Sequence, residues 1–187
     1  FLCVLAVFTV IMLVAAVISA RIVLAKAAMD ADEIRARILL DRGTAVLDAE
    51  VAVLATTVND WASWDDSYAF MAGENPDYRD INLVKETLDT LRVEAVIYYA
   101  TNRQVVEATA LDSNGQHVDH IPLELRRLIE QPDGILDRAM AAKTLSGFVA
   151  QNHHLWMIAA APILTSQDEG PARGILMMVR NFTDREQ

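Results

Sequence analysis

Hydrophobic and polar residues divide this chain of 187 residues into an apolar start and a mixed remainder. From Phe1 to Ala20 there is neither a charged residue nor a proline. About 20 such residues, at a rise of about 1.5 Å each, cover the roughly 30 Å hydrocarbon core of a bilayer. A secretory signal peptide is the alternative, but its apolar region usually has only about 7–15 residues. The pattern predicts a transmembrane helix over residues 1–25 and a separate domain over residues 26–187.

Residues 27–71 have the composition and spacing of one long helix. The stretch holds no proline, and a set of its apolar residues recurs at intervals of seven, four, three, four and three. These residues are Leu40, Leu47, Val51, Leu54, Val58 and Trp61. Such spacing places them on one helix face. The stripe predicts a face that packs on a core or, together with Ala16 and Ala20 in the predicted span, a parallel homodimer through the helices.

Residues 78–184 alternate short helical stretches with β-branched and aromatic ones. The predicted helices span residues 82–91, 122–130 and 136–143. The predicted strands span residues 93–100, 104–111, 147–151, 155–164 and 173–182. Strands that follow each other this closely favour antiparallel neighbours. The predicted fold class is therefore α+β, with a five-stranded antiparallel sheet, flanking helices and the long N-terminal helix.

Composition and short motifs exclude several classes of function. A formal net charge of -10 and a pI near 4.7 argue against nucleic acid, which requires a basic surface. The single cysteine, Cys3, lies inside the predicted span and excludes an intrachain disulfide or thiolate metal site. His153 and His154 are adjacent and would point to opposite faces of an extended segment, which disfavours a shared metal ion. Without a phosphate loop, a nucleophile elbow or an H-E-x-x-H pair, the sequence predicts neither an enzyme nor a cofactor.

An aromatic and acidic segment stands at the end of the predicted long helix. It runs from Asp60 to Phe70 and reads D-W-A-S-W-D-D-S-Y-A-F. This segment resembles the signature of the fourth class of CHASE domains, the cyclase- and histidine-kinase-associated sensory extracellular domains. Weaker matches follow in order at Tyr78, Asn82, residues 91–93, 161–163 and 170–174, and Arg180. The resemblance covers about residues 41–184.

The resemblance implies a sensory domain of the PAS-like or Cache type, facing the periplasm or the cell exterior. Such a domain belongs to a receptor of the inner membrane, whose output is usually a diguanylate cyclase, a cyclic-di-GMP phosphodiesterase or a histidine kinase. We expect a small-molecule ligand of unknown identity and a homodimer. The alternative is a structural module that dimerises or docks a periplasmic partner protein and has no small-molecule ligand.

Two interpretations of the aromatic and acidic segment remain open. In the structural one, the rings fill the junction between helix and sheet while the carboxylates accept backbone hydrogen bonds. The residues concerned are Asp60, Trp61, Trp64, Asp65, Asp66, Tyr68 and Phe70. In the functional one, an acidic group meets a cationic or hydroxylated ligand beneath aromatic rings. The predicted ligand-binding residues are Trp64, Asp65, Tyr68, Tyr98, Trp156 and Arg180.

Arg180 lies in the last predicted strand, residues 173–182, which has apolar residues on both faces. That pattern is typical of a central strand. A guanidinium buried there needs an acidic partner or an anionic ligand. We expect a salt bridge to Asp65 or Asp66; in the ligand interpretation Arg180 would hold a carboxylate or phosphate.

Overall fold

The computed structural model describes residues 2–112, 114–132, 134–142, 144–151 and 154–182. The chain divides into two compact units, residues 1–48 and residues 49–187. Helix α1 has the bounds Leu2–Ala62. Within the described part of the chain, no helix combines the length and the apolarity that a membrane crossing requires. The span predicted for residues 1–25 falls largely on side chains outside that description, so it stays a prediction.

The second unit contains five further helices and six strands among its described residues. The helices are α2 Asp65–Met71, α3 Tyr78–Asn82, α4 Lys85–Leu91, α5 Leu123–Ile129 and α6 Ile135–Ala141. The strands are β1 Ala95–Ala100, β2 Val105–Leu111, β3 His117–Val118, β4 Leu145–Gln151, β5 His154–Pro162 and β6 Gly174–Asn181. The α+β class, the helical insert between two groups of strands and the hairpin from β1 to β2 are confirmed.

The strands form one antiparallel sheet with the order β3-β2-β1-β6-β5-β4. The prediction of five strands is wrong, because the short strand β3 adds a sixth at the edge. β3 follows a turn in which the carboxylate of Asp112 accepts backbone hydrogen bonds from Asn114 and Gln116, at 2.8 and 2.9 Å. A strand of two residues has no alternation that a sequence pattern could reveal.

The sheet separates two hydrophobic cores. On one side, which we call the helix face, α1 packs on the sheet through Leu54 and Val58, both fully buried. On the other side, the insert face, the sheet is covered by α5 and α6, which are inserted between β3 and β4. All residues of β6 are buried, so the predicted central strand is confirmed. The core-packing interpretation of the apolar stripe is confirmed for Leu54 and Val58.

The long helix predicted over residues 27–71 is interrupted at its end. α1 stops at Ala62, and Trp64 has an extended backbone (φ -94, ψ 130) before α2 begins. The carbonyl of Ala62 accepts a hydrogen bond from the Leu164 amide at 3.0 Å, a contact from the loop between β5 and β6. Helical periodicity could not predict this end, since the competing contact comes from far along the chain.

Candidate functional site

The aromatic residues near the end of α1 form one cluster on the helix face. The ring centroids of Trp61 and Trp64 are 5.9 Å apart, and Trp64 meets Tyr78 edge to face at 6.4 Å. Phe70 stacks on Tyr78 at 4.8 Å and meets Tyr98 of β1 at 5.4 Å. Edge-to-face and offset contacts are the favourable geometries for such rings. The rings therefore lie together at the junction between α1, α2 and the sheet, where Trp64 remains 41% exposed.

Three buried hydroxyl groups form a hydrogen-bonded chain inside this cluster. The oxygens of Ser67 and Tyr78 are 2.8 Å apart, and those of Tyr78 and Tyr98 are 2.7 Å apart. All three side chains have no exposed surface. Burial raises the pKa of both tyrosines, so these groups stay neutral. No local pattern marks Ser67, because a serine acquires such a role only through its neighbours.

Asp65 fixes the loop of residues 163–173, which connects β5 to β6. Its carboxylate accepts hydrogen bonds from the Ser166 amide at 2.9 Å and from the Ser166 hydroxyl at 2.8 Å. These two bonds lower the pKa of Asp65, because they favour the charged form. Nearby, Ser63 donates to the carboxylate of Asp168 at 3.0 Å. Asp65 therefore ties α2 to the loop, although its side chain is exposed.

Tyr68 is held against the same loop. Its hydroxyl donates to the carbonyl of Pro171 at 3.3 Å, and the guanidinium of Arg173 lies 3.8 Å from its ring centroid. Arg173 also donates to the backbone carbonyl of Tyr68 at 2.9 Å. A Cβ atom at Gly170 would lie only 2.9 Å from the Tyr68 hydroxyl, so the loop closes tightly there. The guanidinium of Arg173 therefore already occupies the position over the Tyr68 ring that a cationic ligand would take.

Arg180 is buried at the far end of β6 and joins three elements. It donates to a carboxylate oxygen of Glu50 in α1 at 2.9 Å. It also donates to the backbone carbonyls of Arg92 and Leu91, at 2.7 and 3.1 Å, at the end of α4. The expected salt bridge to Asp65 or Asp66 is therefore wrong. Asp65 lies at the opposite end of β6, beside the loop that precedes this strand.

The remaining predicted ligand-binding residues do not share a pocket. Tyr98 faces α1, whereas Trp156 of β5 lies on the insert face with its ring centroid 6.0 Å from that of His154. His153 of the predicted histidine pair lies outside the described residues. Where the structure describes side chains, no three His, Cys, Asp or Glu residues come together as a metal site.

The insert face contains a groove of about 410 Å³ that the sequence analysis missed. A volume in this range suits a small molecule. The groove is lined by Arg103, Glu130, Pro132, Leu136 and Asp137. These residues come from the turn between β1 and β2, from the end of α5, from the following turn and from α6. Their wide separation along the chain explains why no local motif marks them.

The charged side chains of the groove are held by specific partners. Arg103 and Asp137 form an ion pair at 2.8 Å, and Arg126 lies 3.9 Å from Glu130. The buried Tyr99 of β1 donates its hydroxyl hydrogen to Glu130 at 3.3 Å. Burial raises the pKa of Tyr99, and the charge of Glu130 adds to this effect. The alternation of side chains along a strand places Tyr98 and Tyr99 on opposite faces, which the sequence could have revealed.

Comparison with known families gives one match that covers most of the second unit. Residues 46–186 match the family model described as CHASE4 domain. This range contains the aromatic cluster, the loop of residues 163–173, Arg180 and the insert-face groove.

Two individual proteins are informative. The methanogenesis regulatory histidine kinase FilI of Methanothrix harundinacea is 27% identical over 137 residues, which is 73% of this chain. The chain spans about 15% of the length of that relative. The extracellular domain of vpHK1S-Z8, a protein named as a histidine kinase, superposes with a TM-score of 0.55 at 9% identity. That superposition covers 76% of this chain and 56% of the other, and at this identity it establishes the fold alone.

Proposed function

The chain belongs to the CHASE4 domain family of sensory extracellular domains, and from this premise we propose that it senses a small ligand for a transmembrane receptor. The observation that carries the proposal is the insert-face groove. Charged residues from the turn between β1 and β2, the end of α5 and α6 converge there around a space of small-molecule size. In this proposal the aromatic and acidic segment has a structural role on the other face of the sheet.

A ligand screen on the full chain tests this proposal. A bound ligand stabilises the folded state by RT ln(1 + [L]/Kd), or about 2.7 kcal/mol at a hundredfold excess over Kd. We expect a rise in melting temperature with at least one class of metabolite. The rise should disappear when Leu136 in the groove is replaced by Trp and persist when the exposed Leu123 is replaced by Trp. Ligand binding that survives Leu136→Trp would contradict the proposed site.

The topology of the proposed receptor follows from the same premise. We place residues from about Asp30 onward outside the cytoplasm, with the apolar run before them as the membrane anchor. The output would be a histidine kinase, as in the relative from Methanothrix harundinacea, or a cyclic-di-GMP enzyme. Alkaline phosphatase fused after Gln187 should be active. An inactive phosphatase combined with an active cytoplasmic reporter at that site would contradict this topology.

We also propose that the receptor is a homodimer through α1. Leu39 and Val46 are seven residues apart and remain 67% and 61% exposed, as coiled-coil contact positions require before association. In a Cys3→Ser background, cysteines at these two positions should form symmetric crosslinks. A cysteine at Leu54, which is buried in its own core, should form none. Equal crosslinking at all three positions would indicate random collision instead of a dimer.

A further inference from the structure

We infer that strand β4, Leu145–Gln151, pairs along its outer edge with an extended apolar segment of another protein, and that basic residues flank this segment. β4 stands at one end of the strand order β3-β2-β1-β6-β5-β4, and its one neighbour among the described strands is β5. None of the residues of β4 lines the insert-face groove. A partner at this edge and a small ligand in the groove are therefore separate events.

The outward backbone groups of β4 belong to Ser146, Phe148 and Ala150. The Phe182 amide donates to the carbonyl of Leu155 at 2.8 Å, so the backbone groups of Leu155 are directed away from β4. Leu155 stands opposite Ala150 in the pairing of β4 with β5. Bonded and non-bonded pairs alternate in an antiparallel ladder, so every second residue from Ala150 backward directs its N–H and C=O away from β5.

These outward groups are accessible and have no partner among the residues that the structure describes. Ser146 and Ala150 are exposed, and Phe148 is half-buried. The ring of Phe148 lies on the helix face, with its centroid 5.5 Å from that of Phe182. A row of free amides and carbonyls at the edge of a sheet is the surface to which an extended segment adds as a further strand.

The opposite edge of the sheet is protected in ways that β4 lacks. Its outermost strand, β3, consists only of His117–Val118. In the adjacent β2, the carboxylate of Glu107 accepts a hydrogen bond from the Ala108 amide at 3.1 Å, and Arg79 lies 3.5 Å from Glu107. Short strands and charged side chains are usual means of preventing strand addition. β4 has seven residues without a charge or a proline, and its register with β5 is uninterrupted.

The side chains of β4 require an apolar partner segment. Leu145 and Val149 pack against the core of the insert face, and Phe148 packs against the core of the helix face. A strand beside β4 places its own side chains next to these residues on both faces of the sheet. Charged side chains at those positions would lose water without gaining an opposite charge.

The charge of the chain favours another protein over a second copy. With a formal net charge of -10, two copies repel each other, and the uncharged β4 brings no opposite charge to offset this repulsion. The same field attracts basic residues on either side of an added segment. The partner that fits is therefore an apolar extended segment between lysines or arginines.

Fluorescent peptides test this edge on the full chain. Each peptide alternates threonine with valine or with phenylalanine over the length of β4 and carries lysines at both ends. We expect saturable binding by fluorescence anisotropy and slower hydrogen exchange at the amides of Ser146, Phe148 and Ala150. Peptides whose backbone amides are N-methylated have no N–H to donate. They should bind at least tenfold more weakly, a difference of about 1.4 kcal/mol.

Proline variants then locate the binding. Ala150→Pro removes an outward N–H, and an edge strand tolerates proline where its N–H faces solvent. This variant should bind the peptides at least tenfold more weakly. Ala150→Val keeps the N–H and should leave the affinity unchanged. Ser146→Pro provides the same test at the other end of the edge if Ala150→Pro lowers the melting temperature measured without peptide.

Several results would overturn the inference. They are full binding by the folded proline variants, equal binding of the N-methylated peptides, protection confined to amides outside β4, and absence of binding by every peptide. Protection of the three outward amides that rises with protein concentration in the absence of peptide would identify a second copy as the occupant. That result would overturn the proposed partner.

Discussion

The two faces of the sheet differ in how their polar groups are satisfied. On the helix face, Ser67, Tyr78 and Tyr98 satisfy one another inside an aromatic cluster that has no exposed hydroxyl. On the insert face, Arg103 and Asp137 form their ion pair at the wall of an open groove. The helix face holds the aromatic and acidic segment, which resembles the family signature. A conspicuous motif can therefore lie in a closed cluster, while an open groove is lined by residues with no local signature.

Tyr78→Ala should cause the largest loss of stability, because it removes the ring at the centre of the aromatic cluster on the helix face. Loss of a large buried aromatic side chain costs about 3–5 kcal/mol, enough to unfold many domains. Chemical denaturation followed by circular dichroism measures the change. On the insert face, Leu123→Ala at a largely exposed position should cost less than about 0.5 kcal/mol. Similar losses at both positions would remove the contrast between the faces.

Arg180→Gln should follow in size. The substitution removes a buried guanidinium and leaves the carbonyls of Leu91 and Arg92 with fewer donors, for a loss of about 2–3 kcal/mol. The exposed ion pair of Arg79 with Asp119 provides the control, since Arg79→Gln should cost less than about 1 kcal/mol. If Arg180→Gln retained full stability and lost only a ligand response, Arg180 would belong to a binding site.

Two single-atom changes compare the faces most directly. Tyr98→Phe removes the last hydroxyl of the buried chain and should cost about 1 kcal/mol. Tyr99→Phe should cost about 0.5 kcal/mol or less, because Glu130 retains Arg126 and access to water. Differential scanning calorimetry of both variants gives the comparison. A larger loss for Tyr99→Phe would mean that the insert face is the more tightly coupled one.

Asp65→Asn should give the smallest effect, and that effect depends on pH. The two hydrogen bonds from Ser166 lower the pKa of Asp65 below the ordinary value of 3.8. The stabilisation is therefore present above the unfolded-state pKa and is lost as the pH falls through the folded-state pKa. The difference in melting temperature between wild type and Asp65→Asn should exist at pH 7 and shrink toward pH 2. Asp66→Asn serves as the control, and the same pH trend there would exclude a specific role for Asp65.

The sequence predicted the elements that depend on local pattern. The alternation in residues 173–182 correctly assigned side chains of β6 to two covered faces, and the periodicity correctly placed Leu54 and Val58 against a core. The aromatic and acidic segment correctly indicated the family. In each case the information lies within one element, where backbone geometry alone decides which side chains share a face.

The sequence could not predict the partners that tertiary folding brings together. Arg180 needed an acidic partner, as expected, but any of many carboxylates could supply it, and only the packing of α1 on the sheet selects Glu50. The same holds for the groove, where Arg103, Glu130 and Asp137 meet through the placement of α5 and α6. The helix break at Trp64 likewise depends on a contact with the loop of residues 163–173, about 100 residues further along the chain. Helix periodicity describes only neighbouring residues and cannot predict such a contact.

The alternation along β6 has a consequence for communication within the second unit. Leu176 and Met178 belong to one core, and Met177 and Val179 belong to the other, so the two sets of side chains share only the main chain between them. A structural change at the groove would therefore have to move the strand backbone in order to reach the packed end of α1. Side-chain repacking on one face of the sheet leaves the other core unchanged unless the backbone moves.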